Sequence, residues 1–489
     1  MSQPVKKWLT FTLRWGVAVV GIWWVLSQIT WRDRVTLLDA RNRPVVVRLA
    51  NFGPLNSPSF TLYDPPKGIA STVWASALVS QPDAKRVTID SPSGPVTAEL
   101  LALDLSPNLK TVKRLLVANP PGSPGVWIAP AQAPGYRLKV PHPLVEVGLG
   151  RMIKDAGSGN KPWLLVLSVV IFPITFLVTS FRWHQLLRAL EIHLSLGRTF
   201  VLNMVGAFYN TFMPGSTGGD VLKAYYASKQ TEFRTRAVMS VFVDRVIGLL
   251  ALVIMGGAMA AYQYFMGGAD DPAAHACGRI ALVSALIIFG TAGGLFVFYH
   301  PALRRTFGLD WLIVRLPKQK QVKNAIETMD LYAKHKSLVL QSLVVTFPVH
   351  ITVVISAMLA GWAFGLTLSP LYYFVAVPVI VLVGSIPISP QGAGVMEYFA
   401  ILLTQKQGAT VSQAFALTMS IRMVQVLWNL TGGAFVFKGG YHQPTEAEQR
   451  ELEDGRPGGG TGGPTNEDED GGWRMEDGKG ARVSSPAPS

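Results

Sequence analysis

Residues 198–222 read RTFVLNMVGAFYNTFMPGSTGGDVL. The apolar run up to Met213 is shorter than the ~20 residues a helix needs to cross a bilayer. It stops at Pro214, with Gly215, Gly218 and Gly219 following. Bases flank it on both sides: Arg182, Arg188 and Arg198 before, Lys223, Lys229, Arg234 and Arg236 after. By the positive-inside rule both flanks face the cytoplasm, so the stretch between them must enter the membrane and return. A Pro/Gly-interrupted segment at membrane depth is tolerated where protein or a polar cavity encloses it. The expectation is a re-entrant hairpin.

Working outward, apolar stretches recur at 162–180, 238–264, 279–299, 338–366, 371–388, 394–404 and 411–437. Most suffice for a spanning helix, while 394–404 is short and follows ISPQGAG, a second candidate broken helix. The composition agrees. Of 489 residues, 49% are hydrophobic and only 15% charged, against about 25% charged in an ordinary soluble domain. A purely soluble protein is excluded. Cys277 is the sole cysteine, which excludes a disulfide scaffold and a thiolate metal cage.

Residues 1–30 read as an uncleaved signal-anchor helix with the N-terminus inside, since Lys6, Lys7 and Arg14 lie at or near its start. Residues 31–160 alternate short apolar runs (RPVVVRLA, KRVTID, GPVTAELLALDL) with Pro, Gly, Asn and Ser. That pattern predicts a small β-rich extracytoplasmic domain. Residues 161–438 are the multi-pass membrane region. Residues 439–489 form an acidic Gly/Pro-rich tail that cannot bury a core and is expected to be disordered. The net charge is +14, and the tail carries eleven acids and five bases. Residues 1–438 therefore carry about +20, and on a membrane protein such charge marks loops facing anionic lipid rather than a nucleic-acid surface. Eight bases between 300 and 336 place that loop in the cytoplasm, and GGADDPAAHACG at 267–278 fits the outside. The fold class expected is an all-α polytopic membrane bundle with re-entrant or broken helices, plus the β-rich domain.

Three constellations carry chemistry. In the first, Pro214, Gly215, Gly218, Gly219, Asp220 and Lys223 open a helix whose freed N–H groups, including those of Gly218 and Gly219, favour an anion such as a phospholipid phosphate. Lys223, one turn on, can pair with Asp220 or a head group. The alternative is a tight interfacial turn capped by Asp220. In the second, Asp244 and Arg245 lie about two turns into the 238–264 stretch, and adjacent helical positions point ~100° apart. Each therefore seeks its own partner, with the Lys223/Asp220 region a candidate; the alternative is an interfacial snorkelling pair. In the third, Pro390, Gln391, Gly392, Gly394 and Glu397 repeat the grammar of the first, with Arg422 a candidate partner for Glu397. Two such breaks, one in each half, form the pattern expected of an inverted-repeat transporter. The tryptophans, among them Trp23, Trp24, Trp163 and Trp183, read mostly as an interfacial belt. No paired histidine spacing suggests a metal, and His350 reads as a satisfied core histidine. No cofactor is expected.

The strings PGSTGGDVLKAYYASKQ, RAVMSVFVDRVIGLLAL and SIPISPQGAGVMEYFAILL, in that order, resemble the lysylphosphatidylglycerol synthase transmembrane-domain family, also called flippase-like. The likeness covers about 160–438. It implies a polytopic inner-membrane protein that moves lipids or lipid-linked molecules between leaflets. The positions matching its motifs are Pro214, Gly215, Gly218, Gly219, Asp220, Lys223, Asp244, Arg245, Pro390, Gly392, Gly394 and Glu397. Gln391 stands where the family usually has Gly, and Met396 where a base often precedes the acid. Bifunctional members add a C-terminal aminoacyl-phosphatidylglycerol synthase domain. Here only the tail follows, so that activity is expected to be absent.

The leading function class is a lipid translocator acting on membrane phospholipid or a lipid-linked substrate. The alternatives are a membrane-embedded transferase on a lipid-linked substrate and a non-catalytic envelope scaffold. The transferase would need a positioned base or metal site, which the sequence does not offer. Nucleic acid is not an expected partner. A homo-oligomer, and an envelope partner for residues 31–160, remain open.

Overall fold

The computed structural model describes residues 19–441 except 21, 25, 28, 52–56, 81–85, 92–93, 106–111, 122, 134–144, 159–160, 213–217, 267–271, 309–314, 316–318, 387–388 and 440. Most of the expected anchor over 1–30 and nearly all of the 439–489 tail lie outside the described residues.

After the first apolar segment the described chain forms two antiparallel sheets. The first contains β1 (Arg34–Leu38), β2 (Pro44–Leu49), β3 (Ser59–Tyr63), β4 (Thr72–Trp74) and β9 (Val145–Glu146), in the order β4-β3-β2-β1-β9. The second contains β5 (Arg86–Ser91), β6 (Gly94–Leu105), β7 (Val112–Ala118) and β8 (Val126–Ile128), as a meander. Strand alternation buries one face of each. Val35 opposes Val47 and Leu37 opposes Val45, so β1 and β2 offer an apolar face to Phe60 and Leu62. Residues 79 and 80 bridge to Thr36 in one sheet and Leu103 in the other, with Val79, Ala102 and Leu116 packed between.

The strands begin and end at one place. Asp33 is fully buried, accepts the Gly148 N–H at 2.8 Å and forms an ion pair with buried Arg151. Leu149 N–H donates to the Thr30 carbonyl at 2.7 Å. The Thr30 hydroxyl lies 3.0 Å from that of Ser412, a buried residue of the helical region.

The helical region opens with α1 (Leu149–Ser158), then α2 (Pro162–Val170) and α3 (Pro173–Ala189), which together make one apolar span. Proline sits at the first turn of both, where no intrahelical N–H bond is lost. There follow α4 (Leu196–Phe212), α5 (Gly218–Ser228), α6 (Arg234–Met266), α7 (Pro272–Tyr299), α8 (Pro301–Thr306) and α9 (Gln319–Lys334). The last are α10 (Lys336–Ala363), α11 (Pro370–Ser385), α12 (Val395–Thr404), α13 (Val411–Thr431) and α14 (Gly433–Gly439). Among the described residues, four helices are long and apolar enough to cross a membrane: Pro162–Ala189, Arg234–Met266, Ala274–Tyr299 and Lys336–Ala363. The stretches at 198–213 and 394–404 become the short helices α4 and α12, and 371–388 the short helix α11.

Among the described residues the two largest apolar cores hold the bundle. Trp183, Leu186, Leu187 and Leu190 of the α3 end pack on Leu202, Ala227, Val241 and Ile247. Tyr373, Val375, Ala376 and Ile380 of α11 pack on Ala400, Leu403, Ala414 and Leu417. α11 is apolar on all sides and largely buried, as a helix enclosed by others must be. α4 and α5 approach so closely that a Cβ on Gly219 would overlap the Gly206 carbonyl oxygen, and one on Gly206 would lie 3.0 Å from the Gly219 oxygen. Only glycine permits that contact at 219, and at 206 a side chain fits only if its neighbour gives way.

Removing one member of a buried ion pair strands the other charge, at about 3–5 kcal/mol. Asp33→Asn is therefore expected to lower the thermal stability of the purified protein by an amount in that range. Asp33→Asn combined with Arg151→Met should recover part of the loss in a double-mutant cycle followed by unfolding in detergent. Additive losses would refute the coupling.

Candidate functional site

The site is built where α6 carries Asp244 and Arg245 into the bundle. Their ~100° angular separation sends them to different neighbours. Asp244 accepts from Arg182 Nε at 2.8 Å and lies 3.5 Å from Lys223 Nζ. Arg182, on α3, also donates to Thr346 Oγ1 of α10 at 3.0 Å. Lys223, on α5, donates to Asn203 Oδ1 of α4 at 3.2 Å, and its ammonium sits 4.2 Å from the Trp183 ring centroid. The Asn203 amide donates in turn to the Thr179 and Ser180 hydroxyls at 3.0 and 3.1 Å. One carboxylate thus lies between two cations, and the buried network keeps one positive charge in excess. His350 bonds the Gly248 carbonyl at 2.9 Å, one turn after Asp244. Among the described residues, no cluster of three His, Cys, Asp or Glu could hold a metal ion.

Arg245 forms an ion pair with Asp220, in the first turn of α5, and its other terminal nitrogen donates to the Ser385 carbonyl at 3.3 Å. The side chains of this pair are 26% and 25% exposed, so the pair is reachable from outside the bundle. Glu397 occupies the corresponding place in α12. Its Oε2 accepts the Gly394 N–H at 2.7 Å, capping its own helix, and Arg422 Nη2 of α13 lies 2.9 Å from its Oε1. Nη2 also donates to Met396 Sδ, 3.9 Å away, and its contact with Oε1 is an ion pair without an aligned hydrogen bond. Gly392, at φ +68°, leaves no room for a side chain, since a Cβ would lie 2.6 Å from Gly384 Cα.

Described residues beside the two breaks are in contact. Gln391 Nε2 donates to the Thr211 carbonyl at 2.8 Å, and Arg245 reaches Ser385. Both residues that depart from the family pattern have structural contacts: Gln391 bridges to α4, and Met396 packs on Arg422 and Gly384.

Several expectations change. Lys223 does not pair with Asp220 or face a head group; it is buried against Asp244, because Asp220 is taken by Arg245. The Gly219 N–H is not free for an anion but donates to Asn210 Oδ1 at 2.8 Å. Trp183 is not a belt residue: it is wholly buried, with Nε1 donating to Ser240 Oγ at 3.1 Å. Arg182 is not a loop base but a buried partner of Asp244. The sequence reading also missed Asn203 and Thr346. Arg182 and Trp183 could have been found from the apolar i, i+3, i+4 series Trp183, Leu186, Leu187, Leu190, which continues the preceding helix past the arginine. Pro214 and Gly215, and the side chain of Pro390, lie outside the described residues.

Apolar spans packed around a buried polar network define an integral membrane protein. Residues 146–433 match the family described as Lysylphosphatidylglycerol synthase TM region, and the chain belongs to that family. It is 24% identical over 296 residues to a UPF0104 membrane protein of Methanothermobacter thermautotrophicus, an alignment covering 56% of this chain and 84% of that protein. A further match under the same description and organism is 31% identical over 78 residues, 16% of this chain and 22% of that protein.

The network makes an ordered prediction. Asp244→Asn leaves two buried cations with one carboxylate fewer and is expected to be the most destabilising change, at about 3–5 kcal/mol. Lys223→Met keeps the Arg182–Asp244 pair and is expected to cost less. Detergent-solubilised thermal unfolding of both variants tests the order, and the reverse order would refute it.

Proposed function

We propose that this chain moves a phospholipid or lipid-linked amphiphile between the leaflets of the membrane it spans. The observation that supports this is the partly exposed Asp220–Arg245 pair, whose arginine reaches Ser385 at the end of α11, backed by a network with one excess positive charge. A guanidinium held by a carboxylate in a half-open position can exchange that partner for a phosphate, which it binds bidentately. The acyl chains stay in hydrocarbon while the head group follows the polar route. The reading assigns the chain no catalytic step.

In this reading α4–α5 and α11–α12 are two re-entrant hairpins, entering the membrane and turning back at their breaks. The sheets lie on the extracytoplasmic face, residues 300–336 in the cytoplasm, and the membrane is the inner, or plasma, membrane of the cell.

Translocation is tested in vesicles of phosphatidylethanolamine and phosphatidylglycerol carrying acyl-NBD phosphatidylglycerol, with dithionite quenching only the exposed leaflet. The purified protein is expected to expose inner-leaflet probe faster than protein-free vesicles do. Asp220→Asn and Arg245→Ala are expected to return the rate to that of protein-free vesicles while remaining monodisperse. A wild-type rate equal to the protein-free control, or an unchanged Arg245→Ala, would defeat the proposal. The orientation has its own test: in a Cys277→Ser background, Arg305→Cys in intact cells should resist an impermeant maleimide until the membrane is permeabilised.

A further inference from the structure

The helical region contains one pattern twice. Span Pro162–Ala189 (28 residues) leads to half-helices of 17 and 11 residues, α4 and α5, and then to the long helix α6. Span α10 (28 residues) leads to half-helices of 16 and 10 residues, α11 and α12, and then to α13. In each copy the third residue of the second half-helix is an acid, Asp220 or Glu397. In each it pairs with an arginine 25 residues further on, Arg245 or Arg422. One crossing, α7, separates the end of the first copy from the basic segment that precedes the second. Arg188 and Arg198 precede the first copy's half-helices and Lys229, Arg234 and Arg236 follow them, whereas the second copy's half-helices come after α10 has recrossed. The positive-inside rule then gives the copies opposite orientations.

The copies are also cross-linked, and their ion pairs differ in exposure. Arg245 of the first holds the Ser385 carbonyl of the second, and Gln391 of the second holds the Thr211 carbonyl of the first. The Asp220–Arg245 pair is about one-quarter exposed. In the other pair Glu397 is 1% exposed and Arg422 13%. Among the described residues, Glu397 Oε1, Arg422 Nε and the Ser389 hydroxyl are buried without a hydrogen-bond partner. Both pairs are formed, one partly exposed and the other enclosed, and equivalent pairs in unlike surroundings joined by reciprocal hydrogen bonds suit a two-state gate.

We infer that residues 162–266 and 336–431 are inverted copies of one unit, and that Asp220–Arg245 and Glu397–Arg422 are alternating latches, each closing the polar route toward one leaflet. This rests on the translocator reading above. Opening one latch shifts the chain toward the state in which the other is closed.

The test uses thiol accessibility of the full chain in lipid vesicles, with no substrate and no transport, so it can succeed or fail independently of the translocation assay. In a Cys277→Ser background, Glu232→Cys and Gln405→Cys, at the outer ends of the two hairpins, should be labelled from opposite sides of the membrane; labelling from the same side overturns the inversion. Thr211→Cys and Ser389→Cys report the two breaks. Glu397→Gln should raise labelling of Ser389→Cys about five- to tenfold and lower that of Thr211→Cys. Arg422→Gln, which opens the same latch from its other partner, should do the same. Asp220→Asn should raise Thr211→Cys and leave Ser389→Cys no higher. If the Glu397 and Arg422 variants raise Ser389→Cys alone, or raise both reporters together, the pairs are independent braces and the inference is wrong.

Discussion

A carboxylate inside a membrane protein dictates its surroundings, and Asp244 does so here. An ionised side chain at the centre of a membrane helix costs ~2.5–3.5 kcal/mol on insertion scales. Its charge must therefore be met by cations, and those must be met in turn. Arg182 and Lys223 supply the positive charge. Lys223 then needs acceptors for its remaining N–H groups, and finds them in Asn203 and the face of Trp183. Arg182 takes Thr346, and Asn203 takes Thr179 and Ser180. Each requirement recruits another helix, until α3, α4, α5, α6 and α10 are joined through polar atoms. Apolar packing between helices in lipid is weakly directional by comparison, because lipid tails compete for the same contacts. The polar network therefore specifies which helices are neighbours.

The short helices are tolerated for a related reason. In the re-entrant reading the short helices end at membrane depth, leaving backbone groups that water cannot reach. The first break answers with Asn210, which accepts the Gly219 N–H from the preceding helix. The second answers with Glu397, which accepts the Gly394 N–H within its own helix. Glycines at 206 and 219 then let α4 and α5 approach with no side chain between them. Small residues and first-turn acids are thus different answers to one shortage of hydrogen-bond partners.

How much of this was legible depended on whether the signal was local. Four spans were readable from apolar length, and the short helices α4 and α12 from the Pro and Gly beside them; length misled at 371–388, which folds as the 16-residue α11, and at 411–437, which α13 and α14 divide. That Asp244 and Arg245 have separate partners followed from helical angle alone. Lys223 was misjudged because sequence proximity put Asp220 within reach, while the competing partner, Asp244, arrives on another helix. Arg182 was misjudged because an arginine past the end of an apolar run looks like a loop residue; only the tertiary carboxylate explains its burial. Asn203 and Thr346 carry no sequence mark at all, being ordinary polar residues in apolar helices whose role is set by what lies opposite. Gln391 and Met396 read as departures from a family pattern, and it took the fold to show what each touches.

The sheets add one more consequence. Their first and last strands are neighbours, and the chain on either side is joined at Asp33, Gly148 and Arg151, with Thr30 touching Ser412 of α13. The two ends of the β1–β9 stretch are therefore tied together at one cluster. A pull on the sheets carried through that cluster would be felt at Ser412, at the start of α13, the helix that holds Arg422 near its middle.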